Sequence, residues 1–130
     1  MQPAVRAVEY IRAIERGATG DEVAAFFASD ATIIEFPNRF IESGRQSDLA
    51  AARAAAERGR AAMQRQVYDI KSVTADGDRV VLEIDWTGIL AIPLGALAVG
   101  DAMRAHTAVV LEFRDGKIVM QRHYDCYEPF

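Results

Sequence analysis

The sequence predicts an α+β fold, with helices in the first half and an antiparallel sheet in the second. Three observations predict it. Ala7, Tyr10, Ile11 and Ile14 recur at the 3.6-residue helical spacing. Val80, Leu82, Ile84 and Trp86 alternate with Val81, Glu83, Asp85 and Thr87, the period of a half-buried strand. Asp76-Gly77-Asp78 and Asp115-Gly116-Lys117 carry the Asp-Gly signal of tight hairpins. This order of elements predicts three helices packed into the concavity of a strongly curved, mixed or antiparallel sheet. The result is a cone with an open mouth, whose interior is suited to a small molecule.

The first helix carries its charges, Arg6, Glu9, Arg12 and Glu15, mostly off the apolar stripe. Pro3 suits its first turn and Gly17 its stop. Thr19-Gly20-Asp21-Glu22 has the form of a capping box and predicts a short second helix through Val23, Phe26 and Phe27. Ala31 to Phe36 reads as a short strand broken by Pro37-Asn38. Ser47 to Arg65 reads as a third, alanine-rich helix capped by Ser47. Its expected buried face is Leu49, Ala52, Ala56, Gly59 and Met63, which packs closely but buries little area. Gly59 marks a place for a bend or a frayed end. Val67 to Ala75, Arg104 to Phe113 and Ile118 to Tyr127 complete the strands.

With 130 residues, the chain is expected to form one domain that buries about two-thirds of its unfolded surface. The apolar fraction, 51%, fits a globular core. No apolar run reaches the ~18 residues of a membrane span, and the charged, amphipathic N-terminus is not a secretory signal. The single cysteine, Cys126, excludes an internal disulfide and a four-cysteine zinc site. A reducing, cytoplasmic setting is therefore expected. The net charge of −4 argues against a nucleic-acid partner. There is no phosphate loop, no flavin or nicotinamide fingerprint and no metal-ligand cluster, so no cofactor and no metal are expected.

Glu35 stands in an apolar strand, where a glutamate is either paired or functional. Facing the cavity, it would be desolvated and have the raised pKa of a useful base. On the last strand, Gln121, His123 and Asp125 share one face, with Tyr124 and Cys126 on the other. His106 is expected to point away from the cavity. Ile89 to Gly100 is too apolar for an ordinary surface loop and reads as a flap over the pocket or as a dimer contact. Ala108, Val110, Ile118, Met120, Tyr124 and Cys126 form an outward-facing set too apolar for solvent. They predict a homodimer through the outer face of the sheet.

YIRAIERG (Tyr10 to Gly17), FFASDATIIEFP (Phe26 to Pro37), LEIDWTG (Leu82 to Gly88) and LEFRDGKIVMQRHYD (Leu111 to Asp125) occur in an order and spacing that resemble the NTF2-like superfamily, in particular SnoaL-like proteins and ketosteroid isomerase. That resemblance implies the cone fold but not a reaction, because the superfamily holds enzymes and binders alike. Carried over residue by residue, the isomerase's oxyanion tyrosine falls on Tyr10. Its catalytic aspartate falls on Glu35 if one residue is inserted before Pro37, and its second oxyanion donor falls on Val109. The loss of that donor argues against steroid isomerisation. The epoxide-hydrolase arginine and aspartate fall on Ile84 and Trp86, so that triad is absent, and its last-strand aspartate falls on His123.

The expected function is a small-molecule pocket with cofactor-independent acid/base chemistry (isomerase, cyclase or lyase) on a largely apolar, carbonyl-bearing or polycyclic substrate. Glu35, His123, Tyr10 and Asp125 are the expected catalytic groups. Phe27, Phe40, Ile84, Trp86, Thr107, Val109 and Gln121 are the expected ligand contacts. The alternatives are a non-catalytic binder and a dimeric interaction module on the same scaffold.

Overall fold

The computed structural model describes residues 2–130. Helix α1 (Pro3–Glu15) and the short α2 (Gly20–Ala24) precede β1 (Phe27–Glu35) and β2 (Arg45–Ser47). Helix α3 (Leu49–Ala62) then leads into four long strands: β3 (Met63–Asp76), β4 (Arg79–Leu90), β5 (Ala102–Arg114) and β6 (Lys117–Tyr127). The strands form one curved, open, six-stranded sheet in the order β2-β1-β6-β5-β4-β3. Only the β1–β6 pair is parallel; the other pairs are antiparallel. The fold is the α+β, NTF2-like architecture that the sequence predicted. No helix among the described residues is long and apolar enough to cross a membrane.

The core lies between α1, α2 and the inner face of the sheet. Ala7, Tyr10, Ile11 and Ala13 are the buried stripe of α1, and they meet Val80, Leu82, Val109 and Leu111, all 2% exposed or less. The β5–β6 hairpin turns through Asp115 and Gly116, with φ of 52° and 75°. Two consecutive positive φ values define the primed turn whose twist matches the flanking strands.

Several boundaries differ from expectation. Helix α2 stops at Ala24, and Phe27 opens β1 instead of ending a helix. Thr19 is the N-cap of α2 but makes no side-chain cap bond; Glu22, its expected partner in a capping box, is ion-paired with Arg16. Ser47 ends β2, and Asp48 caps α3, its Oδ1 accepting from the Ala51 amide at 2.9 Å. Residues 45–47, of which Ser47 was expected to cap the helix, form a strand that pairs with β1.

No residue of α3 is buried. Its small-residue face, with Ala52, Ala56 and Gly59, lines a hollow, and Met63, expected on the same helix, opens β3 and lines that hollow too. The helix runs past Gly59 to Ala62, and a Cβ at Gly59 would meet nothing within 4 Å.

The outward set is corrected at one position. Ile118 is fully buried in the core, while Tyr124 (43% exposed) and Cys126 face out. The cause is a bulge: Glu112 pairs with Met120 but Phe113 pairs with Ile118, leaving Val119 as an extra residue. One extra residue moves every side chain beyond it to the opposite face.

Candidate active site

The sheet register builds the site. One row of inward side chains runs Tyr68–Trp86–Ala105–Tyr127 across β3, β4, β5 and β6. The next inward row ends in Thr107–Asp125, and the one after it in Val109–His123–Glu35. Gln121 lies one step deeper, opposite Leu111 and Ile33. These rows form the wall of a cavity of about 450 Å³, closed on the other side by α1 and α3.

Tyr10, Glu35, His123 and Asp125 all line this one cavity. Among the expected ligand contacts, Phe27, Phe40, Trp86, Thr107, Val109 and Gln121 line it too. Ile84 does not: it is 2% exposed and enclosed in the core between sheet and helix. The alternation of β4 put Ile84 on the correct face, but there it is packed into the buried core and does not reach the cavity.

At the deep end, Tyr10 is 6% exposed and packed edge-on to Phe27, with ring centroids 5.4 Å apart. Burial pushes its hydroxyl well above the usual phenol range, and the Gln121 side chain beside it draws it partly back. The tyrosine is therefore a neutral O–H donor. Gln121 Nε2 lies 2.6 Å from His123 Nε2. With the amide nitrogen donating, the imidazole Nε2 carries the lone pair and Nδ1 the proton, 4.0 Å from Asp125 Oδ1. Gln121 Oε1 is buried without a partner. Asp125 accepts a hydrogen bond from the Thr107 hydroxyl.

Glu35 does not have the environment expected of a desolvated base. Arg45 Nε donates to its Oε2 at 2.8 Å, and a second guanidinium nitrogen lies 2.6 Å away. The two are register partners on β1 and β2. Arg45 carried no signal in the sequence, because β2 is three residues of polar chain with no alternation to read.

Three further lining residues were missed. Gln66 Oε1 accepts from Trp86 Nε1 at 2.9 Å and from the Tyr68 hydroxyl at 3.1 Å. Tyr68 and Tyr127 both have raised hydroxyl pKa values, from burial first and from the nearby Asp125 charge among the lesser causes. Period-two spacing was the available signal: Gln66 and Tyr68 lie on the inward face of β3, and Tyr127 continues the row Gln121, His123, Asp125.

The apolar 89–100 connection is shared between two elements. Ile89 and Leu90 finish β4, while Ile92 and Leu94 line the cavity. Phe130 sits against Gly95, where a Cβ would come within 2.8 Å of its carbonyl carbon. His106 is on the outer face, its Nδ1 2.8 Å from Asp85 and its Nε2 3.1 Å from Glu128.

Solved structures with this fold include AclR from Streptomyces galilaeus, provisionally described as a hydroxylase. It is 21% identical, with a TM-score of 0.81 over 98% of this chain and 80% of AclR. IdmH from Streptomyces antibioticus, provisionally described as a polyketide cyclase, is 19% identical, with a TM-score of 0.80 over 96% of this chain and 92% of IdmH. A protein of Jannaschia sp. CCS1, provisionally described as a SnoaL-like polyketide cyclase, is 20% identical, with a TM-score of 0.68 over 93% and 85% of the two chains. At these identities the likeness shows the fold alone. No functionally curated protein matches the chain. The family model of the SnoaL-like domain matches residues 7–121, most of the sequence, and the chain belongs to that family.

Proposed function

We propose that the cavity binds a small, largely apolar, carbonyl-bearing molecule and catalyses a cofactor-independent proton transfer on it, with His123 as the base. The observation that carries this reading is the group Tyr10, Gln121 and His123 at the deep end of a largely apolar and aromatic cavity, with Gln121 bonded to His123 at 2.6 Å. A substrate that displaces the Gln121 amide from His123 Nε2 presents its acidic proton to that lone pair. The Tyr10 hydroxyl, held neutral by burial, donates to the developing oxyanion. Asp125 behind Nδ1 favours the imidazolium that forms. Glu35, held by Arg45, helps to shape the wall and is not the proton acceptor.

The test is His123→Ala against Glu35→Gln on any substrate found by screening cyclic ketones and enones. His123→Ala is expected to lower turnover by about a hundredfold to ten-thousandfold with affinity kept. Wild-type turnover in that variant would remove His123 from the chemistry.

A second reading, a non-catalytic binder, is favoured by one observation. Most of the polar groups already have a partner within the wall: Glu35 with Arg45, Thr107 with Asp125, Gln121 Nε2 with His123. Ligand binding without turnover across the screen would select it.

We also infer a homodimer through the outer sheet face. Its support is the exposed Tyr124, stacked on Phe36 at 4.6 Å, beside Ala108, Val110 and Met120. Light scattering at micromolar concentration tests it, and a mass near the 14.3 kDa monomer would count against it.

A further inference from the structure

We propose that the cavity's ligand carries a positively charged amino group, seated between the free oxygen of Asp125 and the aromatic row formed by Tyr68, Trp86 and Tyr127. This rests on the reading of the cavity as a ligand site and names a chemical feature of the molecule that enters it.

The charges lining the cavity supply the first argument. Glu35 and Arg45 neutralise each other at 2.6 Å. Arg60 stands at the helical wall, its Nε 3.2 Å from where a Gly17 Cβ would lie. Asp125 is left without a guanidinium or ammonium partner, although its side chain is only 16% exposed. Its Oδ1 takes the Thr107 hydroxyl and stands 4.0 Å from His123 Nδ1, at the outer limit of an ion pair and one only when that ring is protonated. Its Oδ2 has no hydrogen-bond partner among the described residues. A carboxylate this enclosed is normally paired; the lining charges balance overall, Arg45 and Arg60 against Glu35 and Asp125, but neither guanidinium pairs with Asp125 among the described residues, which leaves room for a cation beside it.

The surroundings supply the second. Asp125 is two residues from Tyr127, which lies in the row next to it with Tyr68 and Trp86. Ala105 is the small residue of that row, and the rings of Trp86 and Tyr127 on either side of it meet edge-to-face with centroids 6.5 Å apart. The Asp125 charge is felt at both the Tyr68 and Tyr127 hydroxyls, which places them in its field. Trp86 gives its N–H to Gln66, so its polar edge is occupied, and its ring lines the cavity. A carboxylate lining the same cavity as a neighbouring row of tyrosine and tryptophan rings is the chemistry that recognises alkylammonium and quaternary ammonium ions.

The probes are benzyltrimethylammonium and its neutral isostere neopentylbenzene, and the readout is the emission of Trp86, the only tryptophan in the chain. The expected result is that the cation binds about tenfold or more tightly than the isostere. Asp125→Asn is expected to remove most of that preference while leaving the affinity of the isostere unchanged. Equal or tighter binding of the isostere by wild type overturns the inference and leaves the cavity reading intact. Asp125→Asn weakening both probes equally also overturns it, because Asp125 would then act through shape and not charge. If neither probe perturbs Trp86, the cavity reading and this inference both fall. The wild-type comparison needs no variant, so it stands even if Asp125→Asn fails to fold.

Discussion

Glu35 and His123 are direct register partners on the parallel β1–β6 pair, and both side chains line the same cavity. Side chains on opposite faces of the sheet would have separated them. The Phe36 amide, just past Glu35, donates to the His123 carbonyl at 3.1 Å, so the pairing extends to the end of β1. The two groups nonetheless have different partners, Arg45 for the carboxylate and Gln121 for the imidazole.

That division predicts a small stability effect at the ion pair. Side-chain exposures of 39% for Arg45 and 24% for Glu35 leave the pair partly screened by solvent. Arg45→Gln should therefore cost no more than about 1 kcal/mol, read as a small drop in urea midpoint. A loss of about 3 kcal/mol or more would mean that the pair behaves as a buried one.

Gly88→Ala should disturb the aromatic wall. A Cβ at Gly88 would lie 2.6 Å from Trp86 Cη2 and 2.7 Å from Met63 Sδ. Met63 can move, but the indole is tied to Gln66 by its N–H. The expected cost is about 1–3 kcal/mol of stability, together with a shift in tryptophan emission. Wild-type emission would show that Met63 absorbs the whole displacement.

Leu82→Ala should be the more damaging core change. Leu82 is fully buried between the β4 wall and the helices. Removing its isobutyl group leaves a cavity and should cost about 2–5 kcal/mol. Chemical denaturation of the variant checks it, and a cost below about 1 kcal/mol would show that α1 closes the gap.

His106 should make stability depend on pH. Its hydrogen bond to Asp85, with Glu128 adding less, raises its pKa above the ordinary 6.5. A histidine with a folded pKa above its unfolded value stabilises the fold fully below the unfolded value and loses that contribution as pH rises through the folded one. The window therefore opens near pH 6.5 and extends upward. His106→Gln should flatten the dependence of Tm on pH across that window, and an NMR titration of the imidazole should show the raised midpoint. A midpoint at or below the ordinary value would mean that the Asp85 contact does not persist in solution.

The elements with strong periodicity were legible from the sequence alone. The α1 stripe, the β4 alternation and both Asp-Gly hairpins were readable because each rests on local chemistry: a repeating apolar period or a turn residue that tolerates positive φ. The inward placement of Gln121, His123 and Asp125 came from the same period of two. Strand β2, the bulge at Val119 and the role of α3 were not legible. An edge strand of three polar residues has no pattern. One inserted residue reverses the parity of the strand beyond it, and an alanine-rich face reads alike against a core and against a hollow.

The residues themselves determined which chemistry is available: an isolated histidine on the last strand, carboxylates within apolar strands, and a tyrosine on the buried face of α1. Only the tertiary structure decided how each is used. Arg45 reaches Glu35 because β2 folds back antiparallel onto β1, and Gln121 reaches His123 because both stand on the concave face of β6. The protonation state and availability of a side chain depend on the charges and donors within a few ångströms of it. Those neighbours come from strands that lie far apart in the chain and that sheet pairing alone brings together.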